Sequence, residues 1–254
     1  MADEIFADQD FARLYDAFNP WGAGDDFYLG LARETGGPIL DLGCGTGMLA
    51  SRIAAEISPV TGVDPATGML RVARSRPGAE RVEWIEGDAR SLDLGRRFNL
   101  IYLTGHAFQV FLTDEEILSV LRTAARHLSP KGRLAFENRN PKVQEWHSWN
   151  PAESRETATV PGIGRVEEFC DCRHDPASGI ADLRHVYRFL DTGRERTGHS
   201  RLRFIDQERL AQLIAEAGLC VHERYGTWDR GACAPTAREI IVEAGLSSDT
   251  QDRR

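Results

Sequence analysis

The sequence predicts an α/β protein whose core is a doubly wound, mostly parallel sheet, with an antiparallel β subdomain inserted into it. From residue 39 to about 137, short apolar strands alternate with amphipathic helical segments, which is typical of a parallel sheet with helices on both faces. A glycine-rich turn follows the first of these strands, and a carboxylate follows each of the next two. From about 163 to 205 the alternation stops, and strand-like runs separated by turns replace it.

The composition disfavours nucleic acid and membranes as partners. A chain of 254 residues with 41% hydrophobic and 28% charged residues can bury one large core. Its net charge of −8 disfavours a face that binds phosphates, so we expect no nucleic-acid partner. No apolar run reaches membrane-spanning length, and the acidic first ten residues do not resemble a signal peptide, so we expect no membrane partner.

The cysteines predict reduced thiols and a cytoplasmic location. There are five of them, an odd number, and none forms a C-x-x-C pair. Cys170 and Cys172 would share one face of a strand, but two such close cysteines are too few to indicate a metal site. We therefore expect no metal.

Residues 39–47 predict a strand, a tight turn and the start of a helix. Gly43, Gly45 and Gly47 stand at every second position, and a helical pattern of apolar residues follows. Glycine allows positive φ and lets a ligand lie against bare backbone, where the N–H groups of the helix face it. A dinucleotide motif needs its third glycine at the place of Met48, which disfavours an NAD-dependent oxidoreductase.

The run D-L-G-C-G-T-G at 41–47 resembles motif I of the class I S-adenosylmethionine (SAM) methyltransferases. The resemblance implies a seven-stranded, mostly parallel sheet of the Rossmann-like methyltransferase fold. It also implies SAM as cofactor and S-adenosyl-L-homocysteine (SAH) as product. Four residues of the motif would contact the cofactor, and the carboxylate would hold its amino group, often through water: Asp41, Gly43, Cys44 and Gly45.

The second strand, 60–64, ends at Asp64, 17 residues after the last glycine of the turn. A carboxylate at that strand end can accept hydrogen bonds from both ribose hydroxyls. Pro65 suits the first position of a helix. In the resemblance Pro65 and Met69 also border the cofactor, although Met69 could instead belong to the core.

The third strand leads into Glu86-Gly87-Asp88-Ala89, which resembles the G-D-A run that reads adenine in this family. Asp88 would accept from the exocyclic amine, and the backbone beside Ala89 would meet a ring nitrogen. The alternative is an ordinary aspartate turn.

The fourth strand, 98–103, ends in a loop that faces the sulfonium methyl in this family. Leu103 and Thr104 would border the cofactor, and His106 is the most prominent titratable residue of the loop. In small-molecule methyltransferases an N-terminal helix with Tyr-Asp often covers SAM, and Tyr15 matches that placing. A protonated amine must lose a proton before attack, and His106 or Tyr15 could accept it or only position the substrate.

The chain is predicted to divide into four parts. Residues 1–140 form an N-terminal helical lid and the SAM-binding core, 141–205 the inserted β subdomain, 206–244 the C-terminal part of the core, and 245–254 a flexible tail. The insert resembles that of bacterial sugar N,N-dimethyltransferases and glycine-type N-methyltransferases, where it covers the pocket of the methyl acceptor or forms the face of a homodimer.

The resemblance implies methyl transfer to a small molecule, with an amine nitrogen favoured over oxygen because of His106 and the insert. The alternatives are an O-methyltransferase and a SAM-binding protein without transfer. Spacing in the insert does not identify the methyl acceptor.

Overall fold

The computed structural model describes residues 9–247, which form two sheets and six α-helices. The first residues of the predicted lid and all but the beginning of the predicted tail lie outside the described residues. Within 9–247, no helix combines the length and apolarity needed to cross a membrane.

The larger sheet has seven strands and contains the switch in strand order that creates a ligand crevice. Its spatial order is β10-β11-β5-β4-β1-β2-β3, and only β11 runs antiparallel to its neighbours. The chain first moves outward from β1 to β3 and then returns to place β4 on the other side of β1. The crevice therefore opens at the carboxyl ends of β1 and β4. The strands are β1 Ile39–Leu42, β2 Val60–Asp64, β3 Val82–Glu86, β4 Phe98–Leu103, β5 Leu128–Arg139, β10 Leu219–Tyr225 and β11 Glu239–Leu246.

Helices cover both faces of this sheet. The first helix lies outside the helical layers that cover the two faces. It packs on the fourth helix through contacts between Ala12, Ala66 and Met69. Two helix starts are capped by side chains. Thr113 accepts from the Glu116 N–H, and Asp206 accepts from the N–H groups of Glu208 and Arg209. The helices are α1 Gln9–Phe18, α2 Ala23–Thr35, α3 Met48–Glu56, α4 Thr67–Arg74, α5 Asp114–His127 and α6 Gln207–Glu216.

The smaller sheet is antiparallel, in the order β6-β7-β8-β9. Alternate side chains of β7, β8 and β9 form an inner face that looks towards the crevice, while the charged outer face looks away from it. Its strands are β6 Glu156–Val160, β7 Gly164–Asp175, β8 Ile180–Phe189 and β9 Arg194–Arg203.

The predicted fold class is confirmed, with differences in detail. β6 begins at Glu156, ahead of the strand-like runs predicted from about 163, because this edge strand buries only Val160 and so lacks a strong apolar pattern. Pro65 is not the first residue of a helix, since α4 begins at Thr67. β11 continues to Leu246, beyond the predicted start of the tail at 245.

Candidate active site

A cavity of about 830 Å³ lies between the carboxyl ends of the central strands, α1 and the inner face of the smaller sheet. Pockets for small molecules and cofactors commonly have volumes of this order. Eleven of the thirteen predicted site residues line it: Tyr15, Gly43, Gly45, Asp64, Pro65, Met69, Asp88, Ala89, Leu103, Thr104 and His106. Asp41 and Cys44 do not belong to the lining.

The glycine turn is held on β2 and is bare towards the cavity. All three glycines have positive φ, 82° at Gly43, 52° at Gly45 and 74° at Gly47. The N–H groups of Gly43 and Cys44 both donate to the Val63 carbonyl, at 2.8 and 3.0 Å. Apart from Gly45 and its two chain neighbours, no heavy atom of residues 9–247 lies within 4 Å of the place where a Cβ on Gly45 would stand, so a ligand can approach this backbone directly.

Asp64 combines two structural hydrogen bonds with access to the cavity. Its Oδ2 accepts from the Gly45 N–H and its Oδ1 from the Ala66 N–H, each at 2.8 Å. Burial raises the pKa of Asp64, and the two N–H groups oppose this shift. Each carboxylate oxygen has two lone pairs, so both oxygens can still accept from a ligand hydroxyl.

Asp41 and Cys44 sit behind the turn rather than on the cavity wall. The Tyr102 hydroxyl donates to Asp41 Oδ2 at 3.0 Å, whereas Asp41 Oδ1 has no hydrogen-bond partner within the described part of the chain. The Cys44 thiol is buried, and burial raises its pKa well above the usual value. Only the backbone of Cys44 takes part in the turn.

Asp41 makes the stability of the fold depend on pH. Burial raises its pKa to about 8, while the Tyr102 hydroxyl opposes the shift. Between about pH 4 and 8 the folded chain therefore keeps a proton that the unfolded chain has lost, and stability falls as the pH rises through this window. An asparagine in its place would not titrate. We expect Asp41→Asn to raise Tm by roughly 3–8 °C at pH 8 and by less at pH 5.

Thermal unfolding at pH 5, 6, 7 and 8 measures this effect. The matched control is Asp182→Asn, a change at an exposed position of β8. Its difference from the wild type should not grow with pH. A gain in Tm for Asp41→Asn that is equal at all four values would contradict the assignment.

Asp88 carries an ion pair at the cavity wall that the sequence did not predict. Arg90 Nη2 is 2.6 Å from Asp88 Oδ2, and its Nη1 also pairs with Glu116 of α5. The hydrogen bond from Arg90 lowers the pKa of Asp88, so the carboxylate stays ionised. Its side chain is 35% exposed and can accept one further donor from a ligand.

The loop after β4 is held tightly around His106. This residue has a φ of 59°, in the left-handed region where residues other than glycine are uncommon and where His, Asn and Asp are enriched. Its N–H donates to Glu137 Oε1 at 2.6 Å, and its ring Nε2 lies 3.0 Å from Glu239 Oε2. Burial would raise the pKa of Glu239, but His106 and two arginines lower it, so this carboxylate can anchor the ring.

Tyr15 reaches the same place from α1. A Cβ on Gly105 would lie 3.3 Å from its hydroxyl oxygen, so a side chain there would crowd it. Burial, followed by the charge of Asp16, raises the pKa of Tyr15 to about 12. At neutral pH this phenol keeps its proton and can donate a hydrogen bond.

Three side chains that were not among the predicted site residues fasten α1 to the glycine turn. Asp16 accepts from the Thr46 hydroxyl at 2.6 Å and pairs with the Arg76 guanidinium. Arg76 also donates to the Thr46 carbonyl at 2.5 Å. We call Asp16, Thr46 and Arg76 the latch. The latch could not be predicted because its three residues lie far apart in the sequence, although Asp16 directly follows Tyr15, which was predicted for the site.

Arg139 lies at the other end of the cavity. Burial lowers the pKa of Arg139, which donates to Gln109 Oε1 at 2.9 Å and lies 3.4 Å from Glu145 Oε2. Its guanidinium lies 5.2 Å from the centroid of the Trp149 ring. These contacts join β5 to the irregular segment before β6, and neither spacing nor periodicity could have indicated them.

No group of three His, Cys, Asp or Glu side chains that could hold a metal ion is found between residues 9 and 247. All five cysteines are free thiols.

Comparisons with known proteins agree with this architecture. Residues 39–132 match the family model described as a methyltransferase domain. A cypemycin N-terminal methyltransferase from Streptomyces sp is 30% identical over 145 residues, which cover 56% of this chain and 59% of that protein. A dTDP-4-amino-2,3,4,6-tetradeoxy-D-glucose N,N-dimethyltransferase from Saccharopolyspora spinosa is 31% identical over 136 residues, or 50% of this chain and 54% of that protein. The matches thus span little more than half of these curated relatives.

A solved structure resembles nearly the whole chain. The CcbJ methyltransferase from Streptomyces caelestis matches with a TM-score of 0.75 and 22% identity over 92% of this chain and 96% of that one. At this identity the likeness concerns the fold alone.

Proposed function

We propose that this chain, which carries a class I SAM-dependent methyltransferase domain, transfers a methyl group to an amine nitrogen of a small molecule. One observation carries the proposal: a single cavity joins the bare glycine turn to the inner face of the smaller sheet. The first end suits a nucleoside cofactor and the second a small acceptor. Both therefore fit side by side.

The residues at the first end fit SAM. Asp64 has free lone pairs that can accept from ribose hydroxyls. Asp88, beside Ala89, has an ionised carboxylate that can accept from the adenine amine. The bare turn that a cofactor can approach consists of Gly43, Gly45 and the backbone of Cys44. The neighbouring wall of the cavity is formed by Pro65, Met69, Leu103 and Thr104. The unpartnered Oδ1 of Asp41 would serve the amino group through water, since Asp41 lies behind the turn.

Tyr15 and His106 are proposed as the catalytic residues. When bound, SAM supplies an electrophilic methyl group, and the electron pair of the broken C–S bond remains on sulfur in SAH. Tyr15 donates a hydrogen bond beside Gly105, and His106, anchored on Glu239, orients the amine nitrogen. Holding the reacting groups in line can lower the barrier by about 7–11 kcal/mol.

Amine methylation is supported by the two relatives described above, since one acts on an N-terminus and the other on an amino sugar. The net charge of −8 supports a partner other than nucleic acid. A homodimer through the inserted smaller sheet is also proposed, as the resemblance of the insert implies.

Opening the latch is expected to weaken cofactor binding. Arg76→Ala removes a partly exposed ion pair to α1 and two hydrogen bonds to Thr46 of the turn. We expect the Kd of SAH to rise about tenfold, equivalent to about 1.4 kcal/mol. Arg74→Ala is the matched control, because Arg74 is exposed and makes one long bond to the Trp84 carbonyl at 3.4 Å. Calorimetry should find SAH binding unchanged in that control. Equal affinity in Arg76→Ala would contradict the latch.

The proposed function is tested with methyl-labelled SAM. The purified chain is first titrated with SAH and then incubated with SAM and dTDP-amino sugars, an N-terminal peptide amine and matched hydroxyl compounds. Mass spectrometry reports the methylated product. Transfer to a nitrogen supports the proposal. Transfer only to oxygen, or tight SAH binding with transfer to none of these compounds, would contradict it.

A further inference from the structure

The inner face of the smaller sheet carries three polar side chains in a row. His185 on β8 lies between Glu168 on β7 and Ser200 on β9. Its Nδ1 is 3.3 Å from Glu168 Oε1, and its Nε2 is 3.0 Å from Ser200 Oγ. Both ring nitrogens therefore have a partner, and all three side chains line the cavity.

The strand register creates this row. Glu168 pairs with Tyr187 and Ser200 with Leu183, so each lies diagonally beside His185, on opposite sides. Diagonal neighbours on one face are within reach of long side chains. Three paired strands, rather than a loop, thus fix the geometry.

The partners define the tautomer of the ring. An ionised Glu168 only accepts, so Nδ1 carries the hydrogen that lies between them. Nε2 then keeps its lone pair and accepts the hydrogen of the Ser200 hydroxyl. The order carboxylate, imidazole, hydroxyl is the one that lets a histidine remove a proton. The side chains of His185 and Glu168 are only 22% and 19% exposed, so water competes little.

Other ionisable groups surround His185 in the cavity. Burial raises the pKa of both Tyr187 and Cys170, so they keep their protons at neutral pH, where histidine titrates. Besides these two and Glu168, the titratable and charged side chains around it are Tyr15 from α1, Arg139 from β5, Glu153, Glu156 from β6, and Arg196 and Arg201 from β9.

We propose that His185 accepts the proton of the substrate ammonium group through the Ser200 hydroxyl, with Glu168 as the positioning residue. This inference rests on the proposed amine methylation and adds to it the class of substrate and the route of its proton. The substrate is a small amine that arrives protonated and docks against Ser200. We call these three residues the relay.

The proton balance is simple. An ammonium N–H bond breaks, and its electron pair stays on nitrogen as the lone pair that attack requires. The proton binds Ser200 Oγ while the hydrogen of Ser200 moves to His185 Nε2. The imidazolium is stabilised by Glu168 and later releases its proton to solvent. One proton thus leaves for each methyl group transferred.

The relay can be tested without cofactor or turnover. In protein labelled with ¹⁵N-histidine, NMR at pH 8 should show His185 with hydrogen on Nδ1 and a bare Nε2. The signal is assigned by its loss in His185→Asn. Glu168→Gln should give a mixture of tautomers, because an amide both donates and accepts. His199→Asn is the matched control, since His199 is next to Ser200 but exposed on the outer face. A wild-type ring with its hydrogen on Nε2 would overturn the relay.

The pH profile of transfer gives the second readout, with the amine that the wild type methylates. His185→Asn should lower kcat on the order of 100-fold and remove the acidic limb of the profile. Ser200→Ala, which alters the side chain less, should also lower kcat. Glu168→Gln should lower kcat more than it changes KM. His199→Asn should behave as the wild type. An acidic limb that persists in His185→Asn would overturn the relay.

The outcomes separate the two proposals. A wild type that methylates no amine would overturn the proposed function and the relay together. A wild type that methylates an amine, with an unchanged pH profile in folded His185→Asn, would overturn the relay alone. Circular dichroism establishes that each variant is folded.

Discussion

Asp64→Asn is expected to weaken SAH binding by about 100-fold, which corresponds to about 3 kcal/mol. The carboxylate accepts two backbone N–H groups at 2.8 Å and faces the cavity. An asparagine side chain has only one oxygen, so the N–H group of either Gly45 or Ala66 loses its acceptor. A ribose hydroxyl also loses a charged hydrogen-bond acceptor. Hydrogen bonds to charged groups contribute about 1.5–3 kcal/mol each.

Asp175→Asn is the matched control for this change. Asp175 likewise accepts two backbone N–H groups, from Ala177 and Ser178, but does so in an exposed turn of the smaller sheet. Calorimetric titration with SAH should give the wild-type Kd for this variant. An Asp64→Asn protein that is folded and binds SAH as tightly as the wild type would exclude Asp64 from the cofactor site.

His106→Asn is expected to lower kcat by about 100-fold and to leave SAH binding unchanged, since misplacing a reacting group by about 1 Å has an effect of this size. Asparagine tolerates the left-handed backbone of this position, so the loop keeps its shape, whereas alanine would strain it. The lost contact is the one between the ring and Glu239, which holds the ring at the cavity wall.

The measurement is single-turnover transfer from labelled SAM over a range of pH. If His106 only positions the amine, the acidic limb of the profile persists in His106→Asn although the plateau falls. His222→Asn, at an exposed position of β10, is the control and should transfer at the wild-type rate. Unchanged turnover in His106→Asn would remove this residue from the catalytic pair.

The glycine turn and Asp64 could be predicted because their signal is local. Positive φ at Gly43, Gly45 and Gly47 and a carboxylate at the end of β2 follow from short patterns along one βαβ unit. The general architecture of the larger sheet could be predicted for the same reason, because its strands and helices alternate in short local patterns. Parallel strands joined by helices leave few alternative arrangements.

Contacts between distant segments could not be predicted. The partners of His185 lie 17 and 15 residues away, and only the register of β7 and β9 brings them to its ring. Shifting one strand by a single residue would place its side chains on the other face. The burial of Asp41 and the pairing of Arg90 with Glu116 of α5 depend likewise on how helices and loops close over the strand ends.

Helix α1 touches both ends of the cavity, and this has a consequence for the order of events. Through the latch it is fastened to the glycine turn, while Phe11 and Phe18 pack against Tyr187 of the smaller sheet, with ring centroids 5.3 and 5.9 Å apart. A movement of α1 that frees the spent cofactor would therefore also loosen the wall that holds the amine. For a substrate that receives two methyl groups, we expect distributive rather than processive kinetics, with the monomethylated amine accumulating in solution before the second round begins.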